Sequence, residues 1–217
     1  MDIMAEWKRR DALLKAGAYP TQSVLLRGPS GTGKSTAARW MAQELGLPLY
    51  VMSIASTIES YMGSTGKNVD AALRYAMEKK CVILLDEMDS IAASRLAKHS
   101  DVGEIWRITN SFIQGLDTWH SMPRESLMVA TTNMMDGSID NAVGRRFELQ
   151  ITLTMPDSRE LSRIAGVPWP VECIVSQAEC ARMVLHARRQ SVMRDMDYSI
   201  CLMALISTVM VAEEIAL

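Results

Sequence analysis

The chain has 217 residues, of which 48% are hydrophobic and 22% are charged, a composition typical of a globular protein that buries a core. The formal net charge of −2 and the pI of about 6.0 exclude a polycation, so composition gives no support to bulk binding of nucleic acid or of an anionic membrane. The most apolar run, residues 200–212, is shorter than the roughly 20 residues that span a bilayer, and a buried helix is expected there instead.

The first residues and the cysteines indicate a cytoplasmic protein. Charged residues occur from position 2 onward, without the apolar segment of a signal peptide. The four cysteines form no CxxC pair and have no histidine at a zinc-like spacing, so we expect reduced, buried thiols.

Apolar runs alternate with helical patterns along residues 1–156. An amphipathic helix is predicted over residues 2–15, and Gly17 and Pro20 end it. Further helical patterns are predicted over residues 34–45 and 68–79. Short apolar runs predict strands between and after them, over residues 23–27, 49–54, 81–85 and 127–132.

The strand patterns indicate an α/β fold class. The run 81–85 is apolar at every position, which is typical of a strand covered on both faces, as in a parallel sheet. Residues 147–153 alternate between apolar and polar and predict a more peripheral strand. Strands separated by helices imply βαβ units, so residues 1–156 are predicted to form an α/β domain with a parallel sheet.

After Pro156 only helices are predicted. The segments DSRE (157–160) and SQAE (176–179) have the pattern of capping boxes, each of which opens a helix. Residues 157–217 are therefore predicted to form a small helical domain.

Residues 28–36, GPSGTGKST, match the phosphate-binding pattern G-x-x-x-x-G-K-[ST], with a predicted strand before it and a helix after it. Glycines let backbone N–H groups curl around a phosphate, and the helix N-terminus adds its positive dipole. Lys34 is expected to reach the β- and γ-phosphates of a nucleotide, and the Ser35 hydroxyl to bind Mg²⁺. A glycine-rich structural turn is the alternative. The predicted nucleotide-binding residues of this loop are Gly28, Pro29, Ser30, Gly31, Thr32, Gly33, Lys34, Ser35 and Thr36.

Two acidic residues follow the apolar run 81–85. Ligands of parallel sheets lie beyond the carboxyl ends of the strands, which is where Asp86 and Glu87 fall. Asp86 suits contact with Mg²⁺, directly or through water, and Glu87 suits orienting and polarising an attacking water. A solvated strand end is the alternative.

The motifs GPSGTGKST, VILLDEMDSIA, VATTN and NAVGRRFE occur in this order, and the chain from about Ala18 to Asp157 resembles the AAA family of ATPases. The resemblance implies a P-loop NTPase with a three-layer αβα parallel sheet, and it makes the helical domain 157–217 the lid. Its sensor 2 signature is not found there, so that residue stays unassigned.

The resemblance also implies roles for three polar residues. Asn133 falls at the sensor 1 position, where it would hydrogen-bond the γ-phosphate or the attacking water; an Asn that caps a turn is the alternative. Arg145 and Arg146 match arginine fingers, which act on ATP held by a neighbouring subunit and imply a homo-oligomeric ring, typically a hexamer. On local sequence alone they could be a solvated basic pair.

The segment GSTGK (63–67) is not a second phosphate loop, because only two residues separate its glycines and Asn68 replaces the Ser or Thr. Tyr61, Met62 and Gly63 resemble instead the pore-loop triplet of protein-remodelling members, in which an aromatic and a flexible thioether grip varied side chains. A core contact is the alternative.

The function predicted from these features is a Mg²⁺-dependent ATPase that forms a ring and remodels or threads protein substrates through a central pore. A recruiting adaptor or a protease would be its partner, and neither membrane nor nucleic acid is expected. The alternatives are an AAA motor or loader that acts on nucleic acid, and a nucleotide switch that hydrolyses ATP slowly.

Overall fold

A computed structural model of the protein describes residues 2–54, 65–89, 102–134 and 141–215. Its contacts divide the chain into two compact units. The first comprises the chain up to Gly28 together with Lys34–Thr152, and the second comprises Pro29–Gly33 together with the chain from Leu153 onward.

The elements of the first unit alternate between helices and strands. In chain order they are α1 (Ile3–Lys8), α2 (Arg10–Lys15), β1 (Ser23–Arg27), α3 (Lys34–Leu45), β2 (Leu49–Ser53), α4 (Thr65–Met77), β3 (Val82–Asp86), α5 (Val102–Trp119), β4 (Leu127–Thr132), α6 (Asn141–Gly144) and β5 (Leu149–Thr152). Those of the second unit are α7 (Ser158–Ala165), α8 (Gln177–Arg194) and α9 (Tyr198–Ile215).

The five strands form one parallel sheet in the order β2-β3-β4-β1-β5. Leu26 in β1 lies opposite Thr131 in β4 on one side and Ile151 in β5 on the other. Every residue of β1 and β4 is buried, whereas β2 and β5 are partly exposed because they form the edges. The predicted α/β fold with a parallel sheet is confirmed, and so is the peripheral position predicted for the last strand.

Hydrogen bonds tie the carboxyl ends of the central strands together. The backbone N–H of Gly28, which follows β1, donates to the carbonyl of Thr132 at 3.2 Å. The N–H of Met88, two residues beyond β3, donates to the carbonyl of Thr131 at 2.9 Å. Since parallel strands end at the same edge of the sheet, the segments after β1, β3 and β4 meet there.

Large apolar side chains of α4 and α5 form the core on the sheet. Leu73 of α4 and Phe112, Leu116 and Trp119 of α5 are fully buried in one cluster with residues of the central strands. The Trp119 indole N–H is also satisfied, because it donates to the carbonyl of Gln22 at 3.1 Å. This packing fixes the strands whose ends carry the site.

The N-terminal region differs from prediction. The single helix expected over residues 2–15 is interrupted at Arg9, which separates α1 from α2. The two halves have different environments: α1 buries Ile3, Met4 and Trp7, whereas α2 has no buried residue. The Trp7 indole donates to the Thr21 carbonyl at 2.8 Å, which holds the first half against the body, whereas the second half is held by an ion pair of 3.6 Å between Arg10 and Glu125.

The second unit is helical, and both of its predicted capping boxes form. Asp157 with Glu160 opens α7, and Ser176 with Glu179 opens α8. The apolar run 200–212 lies in α9. No helix among the described residues is long and apolar enough to cross a membrane.

All four cysteines are buried free thiols, as the sequence predicted. Cys173, Cys180 and Cys201 lie in the core of the second unit. Burial, and to a smaller extent the neighbouring Cys173, raises the pKa of Cys180 to about 11.

Candidate functional site

The phosphate-loop residues follow β1 and lead into α3, which is the strand–loop–helix order that the motif requires. Gly31 and Gly33 have φ angles of 80° and 86°, in the left-handed region that glycine adopts without steric cost. The Thr32 hydroxyl donates to the Pro29 carbonyl at 2.8 Å and closes the loop on itself. The backbone conformation of the loop therefore requires glycine at these two positions.

Lys34 connects the loop to the end of β4. Its ammonium group donates to the Gly28 carbonyl at 2.7 Å and to Oδ1 of Asn133 at 2.8 Å. Burial lowers the pKa of Lys34, while the charges of Asp89 and Asp86 oppose that shift. Lys34 and Asn133, which were predicted as site residues from separate motifs, are thus in direct contact.

Ser35 and Asp86 form a pair of oxygen ligands suited to Mg²⁺. The Ser35 hydroxyl donates to the Asp86 carboxylate, at 2.9 Å to Oδ1 and 3.2 Å to Oδ2. Mg²⁺ prefers oxygen ligands and usually binds through one or two protein groups together with waters and phosphates. Among the described residues no group of three or more His, Cys, Asp or Glu could hold a metal ion.

Thr131 links the two acidic residues that were predicted from sequence. Its hydroxyl donates to Asp86 Oδ1 and accepts a hydrogen bond from the backbone N–H of Glu87 at 3.1 Å. Thr131 is only 2% exposed, so this bond holds the turn after β3 against β4. Sequence reasoning assigned Thr131 no role, although a threonine at the end of an otherwise apolar strand was a usable signal.

Glu87 is exposed and has a φ angle of 60°, in the left-handed region that non-glycine residues rarely adopt. Such a backbone conformation persists where the surrounding structure stabilises it, and it is found preferentially at functional sites. Here it is stabilised by the hydrogen bond from the Glu87 N–H to Thr131 and by the burial of Met88.

Asp89 is a second residue that sequence reasoning missed. Its carboxylate accepts hydrogen bonds from the side-chain amide of Asn133 at 2.9 Å, from the Asn133 backbone N–H at 2.9 Å, and from the Thr132 hydroxyl. The available signal was a third acidic residue in the motif DEMD, immediately after the two that were assigned.

The structure distinguishes the two candidate arginine fingers. Arg145 is exposed. Arg146 is less exposed and its Nε donates to Oδ1 of Asp117, at the end of α5, at 2.7 Å. This intramolecular ion pair gives Arg146 surroundings different from those of Arg145, although the two arginines are adjacent in sequence.

Within the second unit, the N-terminus of α8 contacts the phosphate-loop residues. The Ala178 backbone N–H donates to the Gly31 carbonyl at 3.1 Å. A Cβ atom on Gly31 would lie 2.5 Å from the Ser176 hydroxyl oxygen, so glycine is also needed there for close approach. The capping box SQAE predicted this helix start, but not its position at the loop.

The predicted pore-loop residues Tyr61, Met62 and Gly63 lie outside the described residues.

Comparison with known proteins gives one family. The family model described as "ATPase family associated with various cellular activities (AAA)" matches residues 24–155. An AAA family ATPase of Sinorhizobium fredii, y4kL, is 31% identical over 163 residues, which is 75% of this chain and 48% of the relative. The ATP-dependent zinc metalloprotease FtsH 3 of Sphaerobacter thermophilus is 36% identical over 159 residues, 70% of this chain and 31% of the relative.

A solved structure supports the fold. The crystal structure of the FIGL-1 AAA domain has a TM-score of 0.67 with 23% identity, and the match covers 88% of this chain and 67% of that one. Fidgetin-like protein 1 of Caenorhabditis elegans is 29% identical over 75% of this chain. The chain spans about half the length of y4kL and about a third or less of the lengths of FtsH 3 and Fidgetin-like protein 1.

Proposed function

Because this chain belongs to the AAA family of ATPases, we propose that it is a ring-forming motor that hydrolyses ATP with Mg²⁺ and uses the energy to remodel protein substrates. One observation carries the proposal. Residues from three separate motifs meet at the carboxyl edge of the sheet in two hydrogen-bonded groups. Lys34 donates to Asn133, and Asp86 accepts from Ser35 and Thr131.

In the proposed mechanism the glycine loop and Lys34 bind the phosphates of ATP, which favour the charged form of the lysine. Ser35 and Asp86 would hold Mg²⁺, which would supply neutralisation of the charge on the phosphates. Glu87 accepts a proton from the attacking water as the water adds to the γ-phosphorus, and the bond from phosphorus to ADP breaks. Asn133 orients that water.

A neighbouring subunit completes the site in this proposal. An arginine that stabilises charge on the transferred phosphoryl group is worth roughly 10³ to 10⁵ in rate. We assign this role to Arg145, because it is exposed whereas Arg146 is held by Asp117. Head-to-tail contacts of this kind generate closed rings, and a hexamer is the form proposed.

Replacement of Glu87 by Gln tests the catalytic assignment. Nucleotide binding is expected to change little, while turnover falls by roughly 10²-fold or more, the usual contribution of a general base. Steady-state ATP hydrolysis and the affinity for a fluorescent ATP analogue are the two measurements. Glu125→Gln, which removes ion pairs with Lys80 and Arg10 away from the site, serves as the matched control. Unchanged turnover in Glu87→Gln would overturn the assignment.

A protein substrate is the second element of the proposal. It rests on the sequence triplet Tyr61, Met62 and Gly63 and on relatives whose names include an ATP-dependent metalloprotease. Tyr61→Ala is expected to lower ATP-driven unfolding of a tagged fluorescent protein far more than it lowers ATP turnover. Equal losses in both would place Tyr61 in the ATPase core instead.

The partner and compartment proposed are those expected from sequence. A recruiting adaptor or a protease would deliver or receive the substrate of the ring. A reducing compartment such as the cytoplasm is proposed for a protein whose four cysteines are buried free thiols.

A further inference from the structure

The side-chain amide of Asn133 lies between two groups of opposite hydrogen-bonding character. Its Nδ2 donates to Oδ2 of Asp89 at 2.9 Å, and its Oδ1 accepts from the ammonium of Lys34 at 2.8 Å. A carboxylate can only accept and an ammonium can only donate. Both neighbours therefore favour the same orientation of the amide. In the reversed orientation the amide oxygen would face the carboxylate, and the NH₂ group would face the ammonium.

Asp89 is itself held by a second set of donors. Its Oδ1 accepts from the Thr132 hydroxyl, from the Asn133 backbone N–H at 2.9 Å and from the Met134 backbone N–H at 3.3 Å. Its Oδ2 receives the Asn133 amide, together with a longer bond of 3.1 Å from the Asn133 backbone. Oδ1 thus carries most of the bonds that anchor Asp89 to the end of β4, and Oδ2 orients the Asn133 amide.

We propose that Asp89 is a positioning residue for ATP hydrolysis, which acts by fixing the Asn133 amide with its oxygen, and not its NH₂ group, toward Lys34 and the phosphate site. The inference rests on the proposed role of Asn133 in orienting the attacking water. When phosphates engage Lys34, the Asn133 oxygen is left to accept a hydrogen bond from the water. The NH₂ group stays on Asp89, so Asn133 does not donate to the γ-phosphate.

The separate tasks of the two Asp89 oxygens allow a reciprocal exchange. In Asp89→Asn, the remaining oxygen can keep the bonds that Oδ1 accepts from the Asn133 and Met134 backbones. The new NH₂ replaces Oδ2, loses the longer bond from the Asn133 backbone and faces the NH₂ of Asn133. In Asn133→Asp, the new carboxylate oxygen faces Oδ2 of Asp89. In the double variant Asp89→Asn/Asn133→Asp, an NH₂ group on residue 89 again faces an oxygen on residue 133. The other oxygen of residue 133 still faces Lys34. The total charge of the two residues is unchanged.

Each single variant is expected to lose roughly 10- to 100-fold in kcat, the usual loss when a residue that orients a functional group is removed. The KM for ATP is expected to change less than kcat, because Lys34 and the loop remain. The double variant is expected to lose less than either single variant. Steady-state kinetics of all three proteins, with thermal unfolding to follow stability, provide the measurements.

Independent losses would overturn the inference: if the double variant loses the product of the two single losses, Asp89 does not act through Asn133. Rescue of stability without rescue of kcat would also overturn it, because it would assign the pair to folding alone. Asp70→Asn, which removes a surface ion pair with Arg74 on α4, is the matched control and is expected to leave kcat unchanged.

Asn133→Ala separates this inference from the proposed function. Full activity in Asn133→Ala would remove the role of Asn133 and, with it, the inference. A large loss in Asn133→Ala with full activity in Asp89→Asn would keep the role of Asn133 and refute only the positioning by Asp89.

Discussion

Replacing Glu87 by glycine is expected to give a more stable protein than replacing it by alanine, the reverse of the usual order. The reason is the φ angle of 60° at this residue. A left-handed backbone costs a non-glycine residue roughly 1–2 kcal/mol. Glycine avoids that cost. It also gives the unfolded chain more conformational freedom, which cancels about 0.4–1 kcal/mol of the stability gained.

The midpoints of these two ranges give a net difference of about 0.8 kcal/mol in the free energy of unfolding between the two variants. For a chain of this size it corresponds to a melting temperature roughly 1–4 °C higher for Glu87→Gly than for Glu87→Ala. Thermal unfolding followed by circular dichroism without nucleotide measures it. Both variants lack the carboxylate, so catalysis does not enter the comparison.

A second pair of variants gives the opposite sign as a control. Arg39 lies in the middle of helix α3, is exposed, and has no positive φ. There glycine is expected to be less stable than alanine by about 1 kcal/mol. If glycine is also the less stable choice at position 87, the backbone at Glu87 is not strained and the reasoning fails.

Two further predictions concern the cysteines and the phosphate loop. The native protein is expected to resist alkylation at pH 8, because all four thiols are buried and the pKa of Cys180 is raised to about 11. Mass spectrometry should find four labels after unfolding. Rapid labelling of the native protein would contradict the burial. Gly31→Ala is expected to cost roughly 1–2 kcal/mol of stability and to weaken nucleotide binding, because the φ angle of Gly31 is 80° and a Cβ there would meet Ser176. A melting temperature and a nucleotide affinity equal to those of the wild type would contradict this expectation.

Much of the fold could be predicted because its signals are local. Strand β1, helix α3 and strand β4 have the predicted bounds, since apolar runs and the residues that end them lie within a few positions of each other. The two capping boxes formed for the same reason. The break at Arg9 has no such local signal, and the bond that docks Trp7 on Thr21 joins residues 14 positions apart.

The site was predictable only in part, because several of its contacts join distant residues. Asp89 and Asn133 are 44 positions apart in the chain and meet because β3 and β4 are neighbours in the sheet. The difference between Arg145 and Arg146 depends on Asp117, 29 positions before Arg146. Motif matching identified the residue types at the site but had no means of finding the side chains that hold them.

A mixing experiment tests the central claim, that each ATP site is completed by Arg145 of a neighbouring subunit. The variants Glu87→Gln and Arg145→Ala are each expected to be inactive alone. In an equal mixture, a site is productive when it keeps its own Glu87 and its neighbour keeps Arg145, so random assembly predicts about a quarter of the wild-type ATP turnover. No recovery in a mixture shown by mass measurement to be co-assembled, or a Glu87→Gln protein that stays monomeric with ATP and Mg²⁺, would contradict the account.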